Sequence, residues 1–243
     1  MKKIFSTLLV ALTLTASTNA IAKDQINISS SKRFEDERAV KSFNGVAAAG
    51  PINVVLTIGN TESCRLEGDE EALETIVTEV KGNILIIRPQ TSITSWSRKY
   101  DGKKITAYVT AKSISSLAVS GSGSMVVNGK VDAQSLATTI SGSGSIKATA
   151  DVDNLNAVIS GSGSINLNGT AAHAKIVMSS SGAFAGKSFS VSTLSATISG
   201  SGQVNIKADE SIKAVISGSG SINYSGNATV EKTVIGSGGV RKV

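Results

Sequence analysis

The chain has 243 residues, a formal net charge of +6 and only 4% aromatic residues, with one cysteine, Cys64, and one histidine, His173. A single cysteine excludes an intrachain disulfide framework, and one imidazole beside one thiol gives no support for zinc, copper or haem ligation, so no metal and no cofactor is expected. The modest charge argues against a nucleic-acid partner.

Met1 to Lys3 is a short basic segment, and Ile4 to Ala16 is apolar apart from small hydroxyl residues. Ala20-Ile21-Ala22 then supplies the small-x-small pattern of a cleavage site. Residues 1–22 therefore read as a secretory signal peptide cut after Ala22, destined for the periplasm, the outer cell surface or the medium. The apolar run is too short for a comfortable bilayer span, and no membrane span is expected in the mature chain. Removing residues 1–22 takes away Lys2 and Lys3 and no acid, leaving a charge of +4.

Residues 23–41 are polar and charged and read as a flexible arm. From 42 to 112 the pattern is that of a small β-rich region with one helix. Ile52, Val54, Leu56 and Ile58 alternate as in a strand with one buried face. Asp69 is placed to cap a helix, with Glu70 and Glu71 in its first turn and Leu73, Ile76, Val77 and Val80 on one side. Lys81-Gly82 is the expected stop, and 84–88 and 105–111 read as further strands. Between those strands, residues 90–104 read as a loop that holds the only tryptophan, Trp96, with Arg98, Lys99, Tyr100, Lys103 and Lys104. Trp96, Arg98 and Tyr100 are the binding candidates, since an aromatic beside cations suits a sugar ring or an anionic polymer. The competing reading is a tryptophan packed onto the sheet with solvated lysines around it.

From 113 to 243 the chain repeats. SGSGS stands at Ser120–Ser124, Ser141–Ser145, Ser160–Ser164 and Ser217–Ser221, with altered copies starting at Ser179, Ser199 and Ile235. The steps between starts are 21, 19, 19, 20, 18 and 18 residues, which is a solenoid period. Around each copy apolar residues alternate with Ser, Asn, Lys and Thr, as in Leu155, Ala157, Ile159, Ile165 and Leu167. Alternation of period two means strand, and the glycines exclude helix. The fold class is thus mainly β: a parallel β-helix of about seven Ser-Gly-rich rungs, roughly 34 Å long at ~4.8 Å per rung, following the small N-terminal region. The glycines are expected at bends between faces. The fourth copy departs from the pattern, with Ser180 in place of the first bend glycine and Phe184 in place of isoleucine. Lys232 in an inward phase, with Arg241 and Lys242, reads as a charged end to the last rung.

Three segments and the repeats carry a family resemblance: Val40-Lys-Ser-Phe-Asn-Gly-Val46, Gly50-Pro-Ile-Asn-Val-Val55 and Leu66-Glu-Gly-Asp-Glu-Glu-Ala-Leu73, followed by the serine-glycine copies after Leu117. Together they resemble the secreted bacterial family described as putative auto-transporter adhesin, head GIN domain. The resemblance implies a β-helix-like fold and a cell-envelope location, and it carries over no catalytic residue. On the residues themselves, no catalytic cluster stands out: Asp132, Asp151, Asp153, Asp209 and Glu210 lie near turns rather than as a converging pair. The expectation is a non-enzymatic exported envelope or surface protein, an adhesin or structural binding module, with a glycan or envelope polymer as partner. The alternative is a carbohydrate-binding or carbohydrate-active β-helix protein.

Overall fold

A computed structural model describes residues 34–243. The expected signal peptide and most of the expected arm lie outside the described residues. The end of that arm does not: β1 (Phe34–Arg38) is a strand paired antiparallel to β4 (Ser63–Gly68), with Asp36 opposite Leu66. Between them run β2 (Gly45–Ala49) and β3 (Ile52–Ile58).

The expected helix is a single turn. Asp69 caps α1 (Glu70–Glu74) as predicted, its Oδ1 accepting from the Ala72 N–H at 3.3 Å. Ile76, Val77 and Val80 belong instead to β5 (Ile76–Lys81), a hairpin partner of β6 (Ile84–Pro89). The apolar positions there fit both periods, and the β-branched side chains favour the strand. Gly82 and Asn83 take φ of 55° and 64° at the two-residue turn, as a tight hairpin of right-twisted strands requires. A second helix, α2 (Ile93–Lys99), occupies the segment expected as a loop, capped by the Ser92 hydroxyl accepting from the Ser95 N–H. Among the described residues no helix is long and apolar enough to cross a membrane.

The strands β7 (Ile105–Ala111) and β8 (Ser116–Gly121) lead into five long ones, one per repeat. These are β9 (Ser124–Gly142), β10 (Ser145–Gly161), β11 (Ser164–Ser180), β12 (Ala183–Gly200) and β13 (Gln203–Gly218). The shorter β14 (Ser221–Ser225), β15 (Thr229–Ile235) and β16 (Gly239–Lys242) complete a parallel solenoid of about seven turns. Each long strand wraps two faces. One face stacks β3 with the beginnings of β9 to β13, and the other stacks β2 and β8 with their ends. Residues 45–58 are therefore already solenoid, because β2 pairs parallel with β8 and β3 with β9.

Apart from register shifts near residues 147–149, 166–169 and 186–193, the repeats align residue for residue, so the core is built of columns. Val119, Ile140, Ile159, Met178, Ile198 and Ile216 stack through successive pairings, and every one is buried. Each such side chain contributes roughly 1.5–3 kcal/mol by leaving water. The glycines do stand at the bends, for two separate reasons. Gly161 has φ 115°, a region that side chains disfavour. Gly163 is needed for closeness: a Cβ there would lie 2.5 Å from the Gly144 carbonyl oxygen of the rung beneath. Bends stack directly on bends, with the Ser162 N–H donating to the Gly142 oxygen at 3.0 Å and the Ser164 N–H to the Gly144 oxygen at 3.0 Å.

The fourth copy keeps the bend despite its substitutions. Phe184 is fully buried and meets Phe189 edge-on, ring centres 6.5 Å apart. Ser180 holds φ 111° where its neighbours in the stack use glycine. In the outermost described rung, Lys232 aligns with buried Ala214 and is itself exposed.

Candidate functional site

Two of the three aromatic-segment candidates, Trp96 and Tyr100, are buried. Trp96 is 2% exposed, and its indole N–H donates to the Thr75 hydroxyl at 2.7 Å, tying α2 to the end of α1. Tyr100 is buried too, its ring 5.1 Å from that of Trp96. The expected stacking platform is thus turned inward: a large apolar ring gains more from the core than from solvent, and its one polar atom finds a partner there. The cations around it are partly engaged. Lys99 reaches Glu71 at 3.0 Å and Lys103 reaches Asp69 at 2.6 Å. The hydrogen bond from Lys103 holds the Asp69 carboxyl below its ordinary range. Arg98 alone of the three candidates is exposed.

The corner acids are also tied into the rod. Asp151 accepts from the Thr170 hydroxyl at 2.7 Å and from Lys130 at 3.1 Å, and these bonds, the first above all, lower its pKa. Asp209 accepts from Ser190 at 3.3 Å. Each bond links adjacent rungs, which is a cross-strand stabilising role. Among the described residues no group of three histidine, cysteine or acidic side chains is placed to share a metal ion. Cys64 is buried, and that burial pushes its thiol up to about 11, where it is inert at neutral pH.

What the fold does assemble is an outward face. On the side formed by β8 and the ends of β9 to β13, four columns run along the rod. Ser120, Ser141, Ser160, Ser179, Ser199 and Ser217 stack in register at its bend edge, all exposed. Beside them Ala118, Thr139, Val158, Val177, Thr197 and Val215 form a column of small and β-branched side chains, with Val158 and Val215 each 40% exposed. A third column holds Asn156, Lys175, Ser195 and Lys213, and a fourth Asn154, His173, Thr193 and Ser211. Between the last two lies a shallow groove of about 400 Å³. The His173 Nδ1 and the Thr193 hydroxyl are 2.8 Å apart across adjacent rungs.

Strict register makes this surface regular: six serines over five rung steps span roughly 24 Å at ~4.8 Å each. The outward serines were legible from alternation. The lysine column is not visible along the chain, although aligning the copies at the residue four places before each bend puts Lys175 and Lys213 together.

The family model described as "Putative auto-transporter adhesin, head GIN domain" matches residues 42–228. No curated protein matches the chain. Several solved structures are similar in fold. A putative adhesin from Bacteroides fragilis NCTC 9343 gives a TM-score of 0.77 at 23% identity, covering 88% of this chain and 98% of that one. A putative adhesin from Parabacteroides merdae ATCC 43184 gives 0.66 at 22%, covering 88% and 97%. A protein described as a putative lipid binding protein, from Parabacteroides distasonis ATCC 8503, gives 0.67 at 21%, covering 87% and 96%. Identities this low establish a common fold, and a shared fold does not carry function with it.

Proposed function

The chain belongs to the head GIN domain family of putative auto-transporter adhesins, and from that premise we propose that it is an exported, non-enzymatic binding rod of the cell envelope that acts in surface adhesion. The observation that carries this is the laddered outward face, where each rung repeats the same hydroxyl and β-branched positions along the axis. Repeat rods offer long surfaces of this kind to extended ligands. Export is supported by the basic start, the apolar run and Ala20-Ile21-Ala22. A binding rather than catalytic role is supported by the employment of Asp151 and Asp209 in rung-to-rung hydrogen bonds.

The test is accessibility of a copy tagged after Val243 to antibody and protease on intact cells, with lysed cells as control. Labelling and cleavage on intact cells are expected. Protection until lysis overturns the adhesion role.

A further inference from the structure

The groove along the laddered face has a chemistry of its own. Its walls are the Asn156–Lys213 and Asn154–Ser211 columns, and its floor is backbone over buried Leu155, Ala174 and Leu194. No carboxylate lines it. Lys175 is exposed and has no ion-pair or hydrogen-bond partner among the described residues. The nearest acid to Lys213 is Glu231 at 3.9 Å, a pair so open to solvent that it scarcely engages the ammonium. The strip therefore presents two available positive charges with amide and hydroxyl groups between and beside them.

The spacing of those charges decides what fits. Lys175 and Lys213 occupy the same column two rungs apart, with Ser195 between, or roughly 10 Å along the rod at ~4.8 Å per rung. Nucleic acid would bring phosphates more densely than that, and strands without a duplex are held by stacking on aromatic rings. No Phe, Tyr or Trp side chain lines the groove, and its one imidazole, His173, is engaged with the Thr193 hydroxyl. A sugar chain carrying a carboxylate on alternate residues separates its charges by about one disaccharide and fills the interval with hydroxyls. Amides and hydroxyls are suitable partners for those, and each Asn offers both a donor and an acceptor.

We propose that this groove binds an acidic polysaccharide laid along the rod axis. Lys175 and Lys213 each pair with a uronate carboxylate, while Asn154 and Asn156 hydrogen-bond ring hydroxyls. The proposal names a ligand class for the face assigned above to adhesion and so rests on that face being a binding surface. It does not depend on where in the envelope the protein resides.

Purified protein lacking residues 1–22 is titrated with hyaluronate, whose uronates alternate with uncharged sugars, with neutral dextran and with a single-stranded RNA homopolymer, by calorimetry at low and moderate salt. Three proteins are compared: the parent, the double variant Lys175→Gln/Lys213→Gln, and the charge-matched double variant Lys147→Gln/Lys187→Gln, whose lysines lie outside the groove. Thermal melts establish that all three are folded. The expected result is binding of hyaluronate but not dextran, weakened at least tenfold by the groove variant and less than twofold by the control. Absence of hyaluronate binding, equal weakening by both variants, or tighter binding of RNA than of hyaluronate overturns the proposal. Binding lost only in the groove variant, together with protection of the tag on intact cells, would sink the adhesion role while leaving the groove assignment standing.

Discussion

Ser180→Gly is expected to stabilise the rod. Ser180 occupies the bend position held by Gly161 in the rung beneath and Gly200 in the rung above, and its φ of 111° is close to theirs of 115° and 120°. A residue with a Cβ held in that region stores about 1–3 kcal/mol of backbone strain. Replacing it with glycine releases that strain but loosens the unfolded chain, at a cost of roughly 0.5–1 kcal/mol. The difference favours glycine by about 1 kcal/mol, which for a chain of this size raises Tm by roughly 2–4 °C. The converse substitution, Gly161→Ser, adds the strain and also drives a Cβ against the Gly142 backbone, so it should cost more than ~1 kcal/mol. Urea unfolding followed by far-UV circular dichroism, with thermal melts in parallel, measures both. An unchanged or lower midpoint for Ser180→Gly, or a neutral Gly161→Ser, would refute the claim that the bend demands glycine for its backbone conformation.

Trp96→Ala removes a buried ring and the hydrogen bond that its indole N–H donates to Thr75. It should cost about 3–5 kcal/mol, whereas Arg98→Ala on the same helix should shift stability by less than ~0.5 kcal/mol; paired thermal melts distinguish them. Thr138 is fully buried with an unbonded hydroxyl, between Leu117 and Ala157 in its column. Thr138→Val should therefore gain roughly 1 kcal/mol in urea unfolding, and a loss would show that the hydroxyl has a partner. Burial raises the Cys64 thiol from 9.0 to about 11. Above pH 9 the unfolded chain ionises this thiol and the folded chain does not, so its stabilising contribution is complete below pH 9. It falls by up to about 2 kcal/mol as the pH climbs to 11. Denaturation midpoints of parent and Cys64→Val across that window should diverge accordingly, and parallel profiles would contradict the burial-driven shift.

The repeat region was legible because its physics is one-dimensional. Period-two alternation specifies strand, the 18–21-residue step specifies a rung, and register follows once each bend must sit on the bend below. Phe184 and Ser180 could be assigned from a single departure in an otherwise strict pattern. The N-terminal stretch was harder, because apolar residues at 73, 76, 77 and 80 satisfy a helical spacing while Ile76 and Val80, with β-branched Thr78 between them, satisfy a strand. Pairing with β6, a tertiary fact, decided between them. The same limit governed Trp96: sequence places it beside cations but does not say which way the ring turns, and Thr75, 21 residues earlier, supplies the buried hydrogen bond that turns it inward. The groove was missed for a related reason. Lys175 and Lys213 are 38 residues apart and become neighbours only two rungs removed, so their kinship is visible in the stacked repeats and not along the chain.

Adhesion by the laddered face is tested most directly in cells deleted for this gene and complemented with the parent, with Arg98→Ala in α2, or with Val158→Glu/Val215→Glu on the face. Attachment to the surface the parent cells colonise is counted at equal protein level. Restoration by the parent and by Arg98→Ala, with loss for the double glutamate variant, is the predicted result. Full attachment by the double glutamate variant, or loss only with Arg98→Ala, would contradict the assignment of binding to the solenoid face.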